Sequence, residues 1–139
     1  MDFEILFRLL MAMGFAGAGY LAYRWFNQRI LAWAGSKTPE LPGVRQGAPI
    51  LLYFTTPTCA PCKTVQRPAI QRLSERLGDC LQVIEIDASS QPEMASHWGV
   101  ISVPTTFVID EKGQPRYVNH GVANLEKLLK QLEPIINPC

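Results

Sequence analysis

Five consecutive apolar residues, Ile50–Phe54 (ILLYF), run into a polar break at Thr55–Thr58, and the break runs into a helical pattern. A continuous apolar run of strand length belongs in the middle of a sheet, covered on both faces. The rest of the chain supplies the covering elements. A helix is predicted from about Cys59 to Leu77, with Val65, Ile70, Leu73 and Leu77 mostly at helical spacing, Gly78 as its stop and Pro68 as a kink. Leu81–Ile86 reads as a second strand. Ser90 with Glu93 has the spacing of a capping box, and the short helix it opens ends by Gly99. Thr105–Ile109 and Arg116–Asn119 are strands joined by the turn Glu111–Gln114, which makes them a hairpin. Asn124 can cap a last helix that carries Leu125, Leu128, Leu129 and Leu132 on one face, and Pro134 closes it. The order is β-α-β-α-β-β-α. Alternation in the first half implies parallel neighbours joined by crossovers, and the hairpin adds an antiparallel pair. The expected class is α/β, a mixed four-stranded sheet flanked by helices.

The chain has 139 residues, 47% of them hydrophobic, enough for one domain and a short extra segment. A net charge of +1 does not favour nucleic-acid binding. Its basic excess lies before position 48, where Arg8, Arg24, Arg29, Lys37 and Arg45 face only Asp2, Glu4 and Glu40.

That N-terminal part holds an uncharged run, Leu9–Tyr23, which Ile5–Arg8 extends at the cost of one charge. Spanning a bilayer takes about 20 apolar residues, with a lower limit near 17. The run is therefore a short transmembrane candidate, and Arg8 can snorkel to the interface. Gly14, Ala16, Gly17, Ala18 and Gly19 suit a membrane helix, and Tyr20, Tyr23, Trp25, Phe26 and Trp33 suit an interfacial belt. A cleaved signal peptide and a soluble packing helix are the competing readings. The arginines and lysine after the span place the C-terminal domain in the cytoplasm by the positive-inside rule, with the chain a single-pass membrane protein. Residues 1–34 are thus read as anchor and interfacial segment. Residues 35–48, broken by Pro39, Pro42, Gly35, Gly43 and Gly47, are read as linker, 49–134 as the domain and 135–139 as a tail.

Of the four cysteines, Cys59 and Cys62 form a close pair, while Cys80 and Cys139 stand singly. A secreted disulfide scaffold would spread more of them along the chain. Thr58-Cys59-Ala60-Pro61-Cys62-Lys63 falls between a buried strand and a helix, so two sulfurs on a first helical turn can close a small disulfide ring. Unsatisfied N–H groups at a helix start favour negative charge and lower a thiol pKa there. The thiolate is the species that attacks a disulfide. Cys59, at the junction, should be the exposed nucleophile, and Cys62, one turn in, should resolve the mixed disulfide. Pro61 has no N–H to lose and fits the first turn. A zinc site would need a second ligand pair, and His97 and His120 stand alone, so no metal is expected. Both histidines read as surface or satisfied residues, Trp98 as core, Cys80 as a buried thiol and Cys139 as part of a frayed end. Val103-Pro104-Thr105 opens the third strand, where Pro104 suits a cis bond or an ordinary trans strand start.

From about Ile50 to Pro134 the chain resembles the thioredoxin family. The resemblance rests on Phe54, Cys59-Ala60-Pro61-Cys62-Lys63, Ile86-Asp87, Trp98-Gly99-Val100, Val103-Pro104-Thr105, Gly113 and Gly121. It implies a thioredoxin-like fold in which Cys59 attacks, Cys62 resolves and Pro104 is cis beside the sulfurs. Ala60, Pro61, Val103, Pro104 and Thr105 would then contact substrate, with the Val103 backbone pairing to an extended segment. Protein disulfides would be the substrates and an upstream dithiol the reductant. No cofactor beyond the Cys59–Cys62 disulfide is implied, and a monomer is expected. The Ala60-Pro61 dipeptide is closer to the Gly-Pro of reducing members than to the His-containing pairs of oxidising ones, which points to a reductase. A redox-inert binding module on the same fold and an extracytoplasmic thiol reductase are the alternatives. Several residues depart from the family pattern: Thr58 replaces its tryptophan, Tyr53 its buried aspartate and Val83 that aspartate's lysine partner. Pro68 lies one residue late, and the family's first strand and helix have no evident counterpart.

Overall fold

The computed structural model describes residues 3–36, 41 and 43–136. The chain divides into two compact units, Met1–Ile30 and Leu31–Cys139.

The N-terminal helix is α1 (Phe3–Ser36). Its stretch Phe3–Trp33 is, among the described residues, the helix long and apolar enough to cross a membrane by length and composition. Phe7, Leu10, Met13, Phe15 and Leu21 all stand more than half exposed. Its exposed apolar side chains form no single buried stripe, unlike those of a surface helix of a soluble domain.

The second unit holds a four-stranded sheet in the order β2-β1-β3-β4. Strand β1 (Ile50–Thr55) is central and buried at every position, as its unbroken apolar run requires. It pairs in parallel with β2 (Gln82–Asp87) and antiparallel with β3 (Thr105–Ile109), which pairs antiparallel with β4 (Pro115–His120). Alternation along β1 sends Leu51 and Tyr53 to one face and Leu52 and Phe54 to the other. The first face packs on α2 (Arg67–Leu77) and α4 (Leu125–Leu132) through Ile70, Leu73, Leu128 and Leu132, and Cys59 and Cys62 belong to this core. On the second face Phe54 meets Phe107 edge-on at 6.0 Å, and Trp98, just after α3 (Pro92–His97), meets Phe107 at 5.0 Å. The expected element order and mixed sheet are present.

Local structure departs from expectation at three places. Pro68 does not kink a continuous helix. The turn before it, Cys62–Gln66, widens to a π-helical turn, and Pro68 sits in the first turn of α2. Proline has no N–H for the carbonyl four residues back, and the wide turn absorbs that deficit. Gln66 is fully buried and Val65 exposed, so the inward set is 66, 70, 73 and 77. The capping box at Ser90 does not form. Its hydroxyl donates to the Asp87 carbonyl, and α3 starts at Pro92 without a side-chain cap. Asn124 does cap α4, accepting from the Lys127 N–H at 2.9 Å. In the hairpin, Gly113 takes φ +80°, a left-handed turn conformation that favours glycine. The Asp110 carboxylate there accepts the N–H groups of Lys112 and Gln114.

Of the expected linker, residues 37–40 and 42 lie outside the described residues. The Arg45 N–H donates to Gln82 Oε1 at 2.8 Å and the Gln82 N–H to the Pro49 carbonyl at 2.9 Å, which seats residues 45–49 beside β2. At the other end, Ile135 and Ile136 pack against the α2–α4 core, and residues 137–139 lie outside the description.

Candidate active site

The carboxyl end of β1 delivers the chain through Thr56–Thr58 to Cys59, and a helix begins at Ala60. The Cys59 N–H donates to the Thr56 carbonyl at 3.2 Å, closing a tight turn. Cys59 and Cys62 are joined by a disulfide with Cα atoms 5.3 Å apart. The Cys62 N–H points at Cys59 Sγ, 3.2 Å away. This is one of the free N–H groups of a helix start, and it faces the atom that carries negative charge once the pair is reduced.

Accessibility ranks the two sulfurs. Cys59 is 8% exposed and Cys62 is 0% exposed. The expected order holds, but Cys59 is less open than an exposed nucleophile, because it lies against the same core as Cys62. Ala60 and Pro61 are exposed, Val103 is half-buried, and Pro104 and Thr105 are buried. The Val103–Pro104 bond is cis, which decides between the two options the sequence left open. The Pro104 carbonyl accepts the Gly121 N–H at 2.8 Å, and the Thr105 hydroxyl donates to the Ser102 carbonyl at 2.7 Å. Thr105 is in register with Phe54, five residues before Cys59, so the β3 start and the cysteine loop emerge at one end of the sheet.

Two residues that sequence reasoning did not place in the site support it from below. The Tyr53 hydroxyl donates to the Cys62 carbonyl at 3.4 Å. Burial pushes the Tyr53 phenol above its usual range, with the Thr55 side chain pulling it down, Glu85 pushing it up and Arg67 pulling it down more weakly. Glu85 is the β2 partner of Tyr53 in the sheet, and its carboxylate binds the Arg67 guanidinium at 2.8 Å. Gln66 holds the loop before α4: its amide donates to the Ala123 carbonyl at 3.0 Å, and its oxygen accepts the Ala123 N–H at 2.8 Å. The signal for Gln66 was positional, since 66, 70, 73 and 77 are spaced as one helix face, but its polarity hid it behind Val65.

Two single residues also differ from expectation. His120 is half-buried, neither ring nitrogen has a hydrogen-bond partner, and burial pushes its pKa down. It is therefore neither a surface nor a satisfied histidine. Cys80 is not a buried thiol. It is half-buried in a short 3-10 turn, Gly78–Cys80, and is disulfide-bonded. Cys139 lies outside the described residues. Trp98 is core, as expected, at 0% exposure. Among the described residues no three His, Cys, Asp or Glu side chains converge as a metal site.

The family model for thioredoxin matches residues 43–134, well over half of the chain. The chain belongs to the thioredoxin family. It is 33% identical over 85 residues to thioredoxin Y of rice chloroplasts, covering 61% of this chain and 49% of that protein. It is 30% identical over 88 residues to a thioredoxin-like protein of Synechocystis, covering 63% of this chain and 82% of that protein. Among solved structures it superposes on thioredoxin-2 of the malaria parasite with a TM-score of 0.62 at 19% identity, covering 67% of this chain and 89% of that one. The fold is thioredoxin-like. This chain spans about half the length of the rice relative, and α1 lies outside the family match. Thioredoxins work through a redox-active disulfide and need no further cofactor.

Proposed function

We propose that this chain is a membrane-tethered thiol–disulfide oxidoreductase that reduces protein disulfides at Cys59 and Cys62. One observation carries the reading: a disulfide at a helix start whose outer sulfur is the more accessible and receives the Cys62 N–H. In the reduced protein the Cys59 thiolate attacks one sulfur of a substrate disulfide. A mixed disulfide forms, and one substrate thiolate leaves. The Cys62 thiolate then attacks Cys59 Sγ, releasing the second substrate thiolate and closing the Cys59–Cys62 bond. The substrate has gained two electrons that the pair has lost, and an upstream dithiol restores the pair. Ala60, Pro61, Val103, Pro104 and Thr105 border the path of approach, with an extended substrate segment laid along Val103 as an added strand. The helix α1 supplies the tether.

The test is reduction of an insulin-type disulfide by the purified full chain with a dithiol donor. Cys59→Ser should abolish turnover, and Cys62→Ser should accumulate mixed disulfides. If both variants keep full activity, the assignment of roles is wrong. A redox titration with no reversible couple for the pair would instead support an inert binding module.

A second reading keeps the chemistry and moves the domain outside the cytoplasm. It is favoured by Cys80, which is disulfide-bonded although it lies apart from the reactive pair. Stable disulfides persist in oxidising compartments and are rare where glutathione keeps thiols reduced. The charge count alone points the other way. Labelling of an introduced surface cysteine by a membrane-impermeant maleimide on intact cells decides the side.

A further inference from the structure

The opening of the Cys59–Cys62 bond removes a covalent tie at the start of the helix that carries Cys62. Something must then hold Cys62 in place while a substrate is bonded to Cys59, because the resolving attack needs its sulfur kept close to, and aligned with, Cys59 Sγ. The local backbone does not do this in the ordinary way. At Cys62 the helix is π-wound, so the Cys62 carbonyl accepts the Arg67 N–H five residues on. The remaining bond to that carbonyl comes from outside the helix: the Tyr53 hydroxyl of β1, at 3.4 Å. Tyr53 is 1% exposed on the central strand and packs in the same core as Cys59 and Cys62. Its ring is fixed by the sheet, with Glu85 and Thr106 as its neighbours in register. The bond uses a carbonyl and a phenol, neither of which is consumed when the sulfurs change partners.

We propose that Tyr53 is the positioning residue of the resolving step, tying Cys62 to the central strand throughout the redox cycle. The proposal rests on the dithiol–disulfide reading above. Tyr53 touches neither substrate nor the reacting sulfurs by this bond. It acts through the Cys62 main chain, so its removal slows the second exchange and spares the first.

The reaction of the reduced full chain with 5,5′-dithiobis(2-nitrobenzoate) separates the two steps. Attack by Cys59 releases one coloured thiolate and leaves the other arylthio group disulfide-bonded to Cys59. Attack by Cys62 on Cys59 Sγ releases the second thiolate, closes the protein disulfide and sends the Cys62 proton to solvent. A Cys80→Ser, Cys139→Ser background confines the signal to the pair. Tyr53→Phe keeps the ring and removes only the hydroxyl. Loss of one hydrogen bond that holds the reacting geometry predicts a second release slowed by about fivefold, with the first release unchanged within about twofold. Equal slowing of both releases would mark a merely structural effect and overturn the proposal, as would an unchanged second release. Absence of both releases in the parent protein would instead overturn the activity on which it rests. Near-UV circular dichroism and the thermal midpoint check the fold of the variant. If Tyr53→Phe does not fold, Tyr53→Trp is read in the same assay: its larger ring cannot place an oxygen at the Cys62 carbonyl, and the same selective loss is expected.

Discussion

The amide N–H of Cys62 lies 3.2 Å from the sulfur of Cys59 and is aimed at it. In the oxidised protein this is a weak contact to a neutral sulfur. After reduction the same donor faces a thiol that can ionise. A charge-assisted bond from a fixed N–H, added to the free N–H groups of the helix start, stabilises the thiolate over the thiol. The Cys59 pKa is therefore expected below that of a free cysteine, about 8.5. The rate of iodoacetamide alkylation against pH, in a background lacking Cys80 and Cys139, reports it. Alkylation that titrates at the free-thiol value would show that the helix start does not activate Cys59.

The same sulfur pair was largely legible in the sequence, and the reason is local. A strand, a polar break and a helix start within fifteen residues leave one arrangement for Cys59 and Cys62, and the structure has it. The strand order and hairpin were legible for a similar reason: each rests on an apolar run or a turn of few residues. What escaped were contacts set by a change in helix winding or by distant chain segments. Beside the π turn at Cys62–Gln66 the buried face runs through Gln66 and not Val65; 66, 70, 73 and 77 keep ordinary helical spacing, but the polarity of Gln66 argued against burying it. Gln66 finds its partner 57 residues away at Ala123. Tyr53 stands out in the sequence only as the replacement of the family's buried aspartate, and its bond to the Cys62 carbonyl emerges once the helix is set above the strand. Cys80 looked inert because nothing in its own neighbourhood names a partner.

Helix α1 makes a separate prediction. Phe3–Trp33 is long and apolar enough to cross a membrane, and most of its large apolar side chains are exposed. Burying that surface in hydrocarbon stabilises the helix there far more than binding to a membrane surface does. The full chain should remain in the membrane fraction after alkaline carbonate extraction, and a chain lacking residues 3–33 should be released. Release of the full chain by carbonate would reduce α1 to a peripheral or packing helix.

Gln66 is the test of how the cysteine helix is held. Its side-chain amide makes two bonds to the Ala123 main chain, and all three groups are buried. Gln66→Ala removes both partners and leaves the Ala123 N–H and carbonyl unsatisfied. An orphaned buried group costs about 1–3 kcal/mol, so a loss of roughly 2–4 kcal/mol is expected. Chemical unfolding of the full chain in mild detergent, followed by near-UV circular dichroism, measures it. A loss under about 0.5 kcal/mol would show that solvent reaches Ala123 and that the bonds contribute little.

Asp110 sets the acid limb of stability. Burial alone would push its carboxyl up. The Gln114 N–H, the Arg116 side chain and the Lys112 N–H together outweigh burial and hold it below the usual carboxylate value. Arg116 binds it at 2.7 Å but is half exposed, so solvent screens that part, and the main-chain donors are the more secure share. The sign follows from proton linkage. The folded carboxyl is harder to protonate than the unfolded one, so its stabilisation is complete above the unfolded pKa of about 3.9 and drains away as pH falls through the lower folded value. Asp110→Asn should therefore lower the unfolding midpoint at pH 7, and the gap to the parent should close as pH falls through the lowered folded value and the native carboxyl is itself protonated. Denaturation series between neutral and acid pH measure both arms. A gap that stays constant to the lowest pH would mean that the aspartate acts through its shape in the hairpin turn and not through its charge.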